Sequence, residues 1–210
     1  MWLETDDGAG PVLGIHLGMA GRIVVDDGEA GDPPPGSAGG ARRDAEGADP
    51  TRWDRFAVTF EDGGRMALRD KRRLGRVRLE PDLRRLGPDA LHIPRATFRE
   101  RVGRGTGPVK ARIMDQAVLA GVGNLLADEA LWRARLDPRR AAGALDEAEL
   151  DRLWRAIRAA TRDAIAKGGV HTGRVIAHRA AGERCPRCGA PMQRATVGGR
   201  TTWWCSREQR

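Results

Sequence analysis

The chain has 210 residues, enough for one domain or two small ones with a real core. Its 37 Lys and Arg against 29 Asp and Glu leave a formal charge of +8, with arginine far outnumbering lysine. That excess points to a polyanionic partner, nucleic acid before membrane, because guanidinium grips phosphate through a bidentate fork. No run approaches the roughly 18 apolar residues of a membrane helix, and no charged-then-apolar leader opens the chain, so a soluble cytoplasmic protein is expected. A GC-rich coding sequence would also favour arginine over lysine, but it would not set the sign of the charge.

Residues 1–25 read as strands, with the apolar runs of "GPVLGIHLGMAGRIVV" broken by Gly18 and Gly21. Residues 26–50 are rich in Gly, Pro, Asp and Ala, a solvated loop that can bury nothing. Alternation returns in "RFAVTF", turns at "EDGG" and continues in "RMALRD", which predicts a hairpin. "KRRLGRVRLE" then carries positive charge along a sheet edge or loop.

From Pro94 the period becomes helical. Helices are expected over 94–104 and 108–119, each opened by a proline. "AGVGN" breaks the second, and Asn124 caps the next helix, which stops at Asp137-Pro138. Asp146 opens a long amphipathic helix with Leu150, Leu153, Trp154, Ile157, Ala160, Ala164 and Ile165 on one face, ending at Gly168-Gly169. The fold class is therefore α+β: a β-rich region over 1–90, a helical region over 91–170 and a small β-hairpin ribbon over 183–210.

Two stretches carry chemistry. The Gly-x-Gly-Asn turn at 121–124 exposes backbone N–H groups at a helix N-terminus, a ready phosphate site, although an ordinary helix-turn-helix packing unit has the same look. The ribbon holds all three cysteines. Cys185 and Cys188 form a C-x2-C knuckle, a metal-ligand spacing and too tight for a structural disulfide. Cys205 follows after sixteen residues, and Glu208 stands where a second knuckle would place its second cysteine.

These motifs, in order, resemble the formamidopyrimidine-DNA glycosylase and endonuclease VIII family. "MDQAVLAGVGNLLADEALWRARLDP" is similar to its helix–two-turn–helix element, "IHLGMAGR" to its wedge turn, "RDKRRLGRV" to its "D-x-R-R-F-G" loop, and the ribbon with "GGRTT" to its zinc finger. The resemblance covers about residues 2–210 and implies a β-sandwich remnant, a helix–two-turn–helix domain and a zinc ribbon. It also implies a base-excision repair glycosylase and abasic-site lyase, acting as a monomer on damaged double-stranded DNA near the nucleoid.

Residue by residue, the resemblance makes Met19 a wedge filling the gap left by an everted base. Arg72 intercalates opposite that base, with Leu74 where Phe is usual. Lys110 and Asn124 hold the phosphates flanking the lesion, and Arg200 grips the phosphate at the damaged nucleotide. Plugging the gap and clamping bent phosphates offsets the stacking lost on eversion. The plainer alternatives are a core methionine, a solvated lysine and a basic loop. Zinc is implied at Cys185, Cys188 and Cys205, with Glu208 as fourth ligand by carboxylate. His178 is a remote substitute, and a metal-free ribbon held by Trp203, Trp204 and strand pairing is the alternative.

The family works with an N-terminal proline amine and an adjacent glutamate, whereas this chain opens "MWLETDDG", like the family's strand entered partway along. A late-placed start or a truncated relative is expected, with poor stability alone and no lyase activity, and no catalytic residue is assigned. The short stretch "GGVHTGRVIAHRAAGER" weakens an oxidised-purine assignment, and His171 and His178 in it read as surface residues. A non-catalytic damaged-DNA binder is the main alternative, and a ribbon protein binding RNA or another protein the weaker one.

Overall fold

A computed structural model describes residues 2–4, 8–18, 21–26 and 50–210. Met19 and most of the expected 26–50 loop lie outside the described residues. The chain divides into two compact units, Met1–Leu83 and Arg84–Arg210. The ribbon expected as a third region belongs to the second unit.

Among the described residues, the first unit holds two three-stranded antiparallel sheets. One has the order β1 (Trp2–Leu3), β2 (Leu13–His16), β6 (Arg76–Leu79), and the other β3 (Arg22–Asp26), β5 (Arg65–Arg69), β4 (Asp54–Thr59). The expected hairpin is β4–β5. Its strands pair from Asp54↔Arg69 to Thr59↔Arg65, and Asp62 accepts the Gly64 N–H at 2.8 Å to close the turn. Period-two alternation sends Phe56 and Val58 of β4 inward, towards Met66 and Leu68 of β5 and Ile15 of β2. Both sheets feed this one cluster, so the architecture is a small sandwich, and only Ile15, Met66 and Leu68 in it are fully buried.

The second unit is helical at its centre: α1 (Arg95–Val102), α2 (Val109–Met114), α3 (Asn124–Ala134) and α4 (Glu147–Ala166). Its core is far larger, with Phe98, Ile113, Leu119, Leu131, Leu153 and Ile157 all essentially inaccessible. A capping box opens α4: Asp146 accepts the Glu149 N–H at 2.7 Å, and the Glu149 carboxylate accepts the Asp146 N–H at 3.1 Å. Ile165, expected on the buried face, is 69% exposed. At 3.6 residues per turn it lies about 80° round the helix from Ile157, off the stripe that faces the core.

Two local expectations need correction. The helix expected to run to residue 119 ends at Met114. Asp115 accepts the Ala117 N–H at 3.0 Å, and the Gln116 side chain bridges Met114 O, Val122 O and Gly121 N, so two polar side chains build the turn instead. Asn124 is the first helical residue of α3 rather than its cap, which is Gly123. Freed from capping, the Asn124 amide reaches the ribbon. The ribbon hairpin, β7 (Met192–Val197) and β8 (Arg200–Cys205), packs on α3 through a second cluster centred on Trp132, with Val175, Cys185, Met192, Trp203 and Cys205.

Candidate nucleic-acid interface

In the first unit one carboxylate shapes the basic loop between β5 and β6. Asp70 is fully buried and accepts the backbone N–H groups of Arg72, Leu74 and Gly75 at 2.7–2.9 Å. Burial alone would raise its pKa, but these three donors outweigh burial and hold it below the ordinary aspartate value. The loop bends through Arg73 in the left-handed region (φ 57°). Arg72 is left exposed, and Leu74, a large apolar side chain, is 42% exposed beside it. Gly18 lies against this loop. At Gly18 (φ +64°) a Cβ would come within 2.7 Å of the Leu74 carbonyl carbon, so both conformation and contact require glycine. Met19 itself lies outside the described residues.

In the second unit one carbonyl plays the corresponding part. The β7–β8 turn is Gly198-Gly199, both with positive φ (56° and 73°), a two-residue hairpin connection. A Cβ on Gly198 would meet the Ala111 Cβ at 2.7 Å, so the hairpin tip rests directly on α2. Just past the tip, Thr201 O receives Asn124 Nδ2 at 3.2 Å, an Arg179 Nη2 at 3.2 Å and, more distantly, Lys110 Nζ at 3.5 Å. Beneath it lies a buried charge cluster. Lys110 Nζ is 2.6 Å from Asp128 Oδ1 and donates to Thr202 Oγ1 at 2.7 Å, while Arg179 Nε donates to Asp128 Oδ2 at 2.8 Å. Arg200 projects from this anchored strand into solvent.

Three residues named from sequence, Lys110, Asn124 and Arg200, therefore meet around one hairpin, whereas Arg72 and Leu74 share the loop of the other unit. Lys110 is not a surface group. Its side chain is wholly inaccessible, so direct phosphate contact gives way to an internal ion pair. Burial pushes its pKa down, Asp128 pulls it back up, and Arg179 and Arg200 add to the downward push. Asp70, Asp128 and Arg179 were missed as positioning groups. The first two sit inside the quoted motifs and signalled nothing of their burial, and Arg179 had no sequence signal at all.

The metal residues divide differently. The Sγ atoms of Cys185, Cys188 and Cys205 lie within 4.8 Å of one another. N–H donors surround them: Trp132 Nε1 reaches Cys185 Sγ at 3.3 Å and Glu208 N reaches Cys205 Sγ at 3.4 Å. At Cys185 burial is outweighed by the Trp132 N–H and the backbone N–H groups of Arg187 and Cys188, and its pKa falls to about 7, whereas burial pushes Cys205 up to about 11. Three converging sulfurs with N–H support fit a structural zinc ion, which would tie the knuckle to β8. The Glu208 carboxylate does not join them. It pairs with Arg187 at 3.0 Å and Arg135 at 3.4 Å. His178 pairs with Glu183 at 3.0 Å.

Comparison with known families places this geometry. Residues 1–77 match the formamidopyrimidine-DNA glycosylase N-terminal domain, 86–174 the formamidopyrimidine-DNA glycosylase H2TH domain, and 182–207 the zinc finger found in FPG and IleRS. The chain is 31% identical to a formamidopyrimidine-DNA glycosylase of Chloroflexus aggregans, covering 97% of this chain and 76% of that one. It is 36% identical to one from Rhodopseudomonas palustris, covering 98% and 79%. Among solved structures, MutM (Fpg) from Thermus thermophilus aligns with a TM-score of 0.72 at 32% identity, covering 96% of this chain and 76% of the other. Lactococcus lactis Fpg in complex with abasic-site DNA aligns with a TM-score of 0.73 at 25% identity, covering 97% and 76%.

Proposed function

The chain belongs to the formamidopyrimidine-DNA glycosylase family of base-excision repair, and we propose that its two anchored arginines hold damaged duplex DNA around an everted nucleotide. The observation that carries this reading is the hairpin clamp. Arg200 stands exposed one residue from a carbonyl fixed by Asn124 and Arg179, so its guanidinium meets a phosphate without the chain having to order first. Asn124 lies at the first turn of α3, where orphan N–H groups and the helix dipole add to the attraction for the same anion.

On the other unit, Arg72 and Leu74 supply a charged and an apolar probe for the gap left in the stack, and Met19 the wedge. Lys110 acts behind this surface. It neutralises Asp128 and fixes β8, and thereby positions Arg200 and Asn124. Covalent chemistry on the sugar needs an accessible neutral amine. Lys110 is sealed and ion-paired, so it is not that group, and no catalytic role is assigned among the described residues. The protein acts as a monomer on chromosomal DNA in the cytoplasm. Among the described residues no helix is long and apolar enough to cross a membrane.

The test is equilibrium binding of the 210-residue chain to two duplexes of one sequence, one carrying a stable abasic-site analogue. Tighter binding to the damaged duplex is expected, because an already unpaired site lowers the cost of eversion. Equal affinity for both would refute recognition by eversion.

A further inference from the structure

Cys185, Cys188 and Cys205 supply three sulfur ligands, and the fourth position of the motif falls to Glu208, whose carboxylate is committed elsewhere. Glu208 Oε2 lies 3.0 Å from an Arg187 nitrogen and 3.4 Å from Arg135 Nε. Arg187 is itself fixed: it donates to Trp132 O at 3.1 Å, and its guanidinium lies 4.0 Å from the centroid of the buried Trp132 ring. To swing towards an ion held by the sulfurs, Glu208 would leave two guanidinium partners, one of them stacked on a buried indole and then without its counter-charge. Gln209 and His178 are engaged too. Gln209 Oε1 accepts the Cys205 N–H at 2.8 Å and its Nε2 donates to Leu136 O at 2.9 Å. His178 Nδ1 is 3.0 Å from Glu183 Oε2.

We propose that the ribbon holds zinc through three thiolates alone and leaves the fourth position to a small exchangeable donor from solvent. Glu208 is then the structural partner of Arg187, tying the end of the ribbon to α3. A tetrahedral ion with three protein ligands keeps one place for an exogenous ligand. A sulfur-rich set favours a soft or borderline donor there, a small thiol or an imidazole, over another carboxylate. Cys188, half-buried between the exposed Gly189 and the partly exposed Arg187, marks the side from which such a donor enters.

The experiment loads the full chain with Co2+ and reads its electronic spectrum. Wild type and Glu208→Gln are expected to show the same thiolate-to-cobalt and d–d bands, and imidazole is expected to shift the d–d bands of both. In Glu208→Cys a fourth sulfur fills the position, and the imidazole shift is lost. A changed spectrum in Glu208→Gln, or wild-type bands that imidazole leaves unmoved, would overturn the proposal, as would failure of the wild type to bind cobalt. Imidazole that has to displace a bound carboxylate binds more tightly once that carboxylate is removed, so equal imidazole midpoints in wild type and Glu208→Gln are expected, and a lower midpoint in Glu208→Gln would overturn the proposal.

Discussion

The loop after β5 and the hairpin between β7 and β8 solve the same problem with opposite chemistry. Each carries an exposed arginine on a backbone held by hydrogen bonds. The loop does so with one buried acceptor, Asp70, collecting three backbone N–H donors. The hairpin does so with one backbone acceptor, Thr201 O, collecting side-chain donors from α2, α3 and the segment before the ribbon. The first is local, reaching no more than five positions along the sequence. The second ties together positions far apart in the chain and needs a buried ion pair beneath it. The hairpin therefore depends on the whole second unit being folded, whereas the loop depends on one side chain.

Breaking the long-range anchor should do most harm. Lys110→Met removes one partner of a fully buried pair, and a loss of about 3–5 kcal/mol in the stability of the second unit is expected, read by denaturant unfolding. Arg179 still faces Asp128 and keeps the loss towards the lower end. A loss within error would mean that Lys110 and Asp128 contribute nothing net.

The local anchor should be cheaper to break. Asp70→Ala orphans N–H groups in a loop that stays partly open to water, so about 1–3 kcal/mol is expected, confined to the first unit. This contribution depends on pH with a definite sign. The folded-state pKa of Asp70 lies below its ordinary value of 3.8, so its stabilisation is complete above that value and fades as pH falls through the lower folded value. The gap in stability between wild type and Asp70→Ala should accordingly narrow in acid. A gap that widened in acid would contradict the hydrogen-bonded carboxylate.

Arg200→Ala should cost the least in stability, because among the described residues its guanidinium donates just one long hydrogen bond, to Gly199 O at 3.4 Å. Its effect should appear in DNA affinity, uniformly across sequences.

Sequence order and spacing made the architecture legible. The β4–β5 hairpin, the start of α4 at Asp146 and the three-cysteine ribbon all lie where local pattern put them. What could not be read locally was which polar residues turn inward. Lys110 looked like any lysine on a short helix, because its partners Asp128 and Thr202 are 18 and 92 positions away. Asn124 looked like a cap because Asn is a favoured N-cap residue where a helix restarts, and a carbonyl on a distant strand claimed its amide. Glu208 looked like a replacement ligand because it holds the fourth ligand's place, while Arg187 and Arg135 claimed its charge. In each case a long-range partner overrode a sound local preference.

The most direct test of contact against positioning is the salt dependence of DNA binding, measured for wild type, Arg200→Ala and Lys110→Met under conditions where all three are folded. A lost phosphate contact flattens the slope of log K against log salt by about one. Arg200→Ala is expected to show that flattening. Lys110→Met is expected to weaken binding while keeping the wild-type slope. The reverse pattern, with Lys110→Met flattened and Arg200→Ala unchanged, would contradict the division between an exposed arginine that touches DNA and a buried lysine that holds it in place.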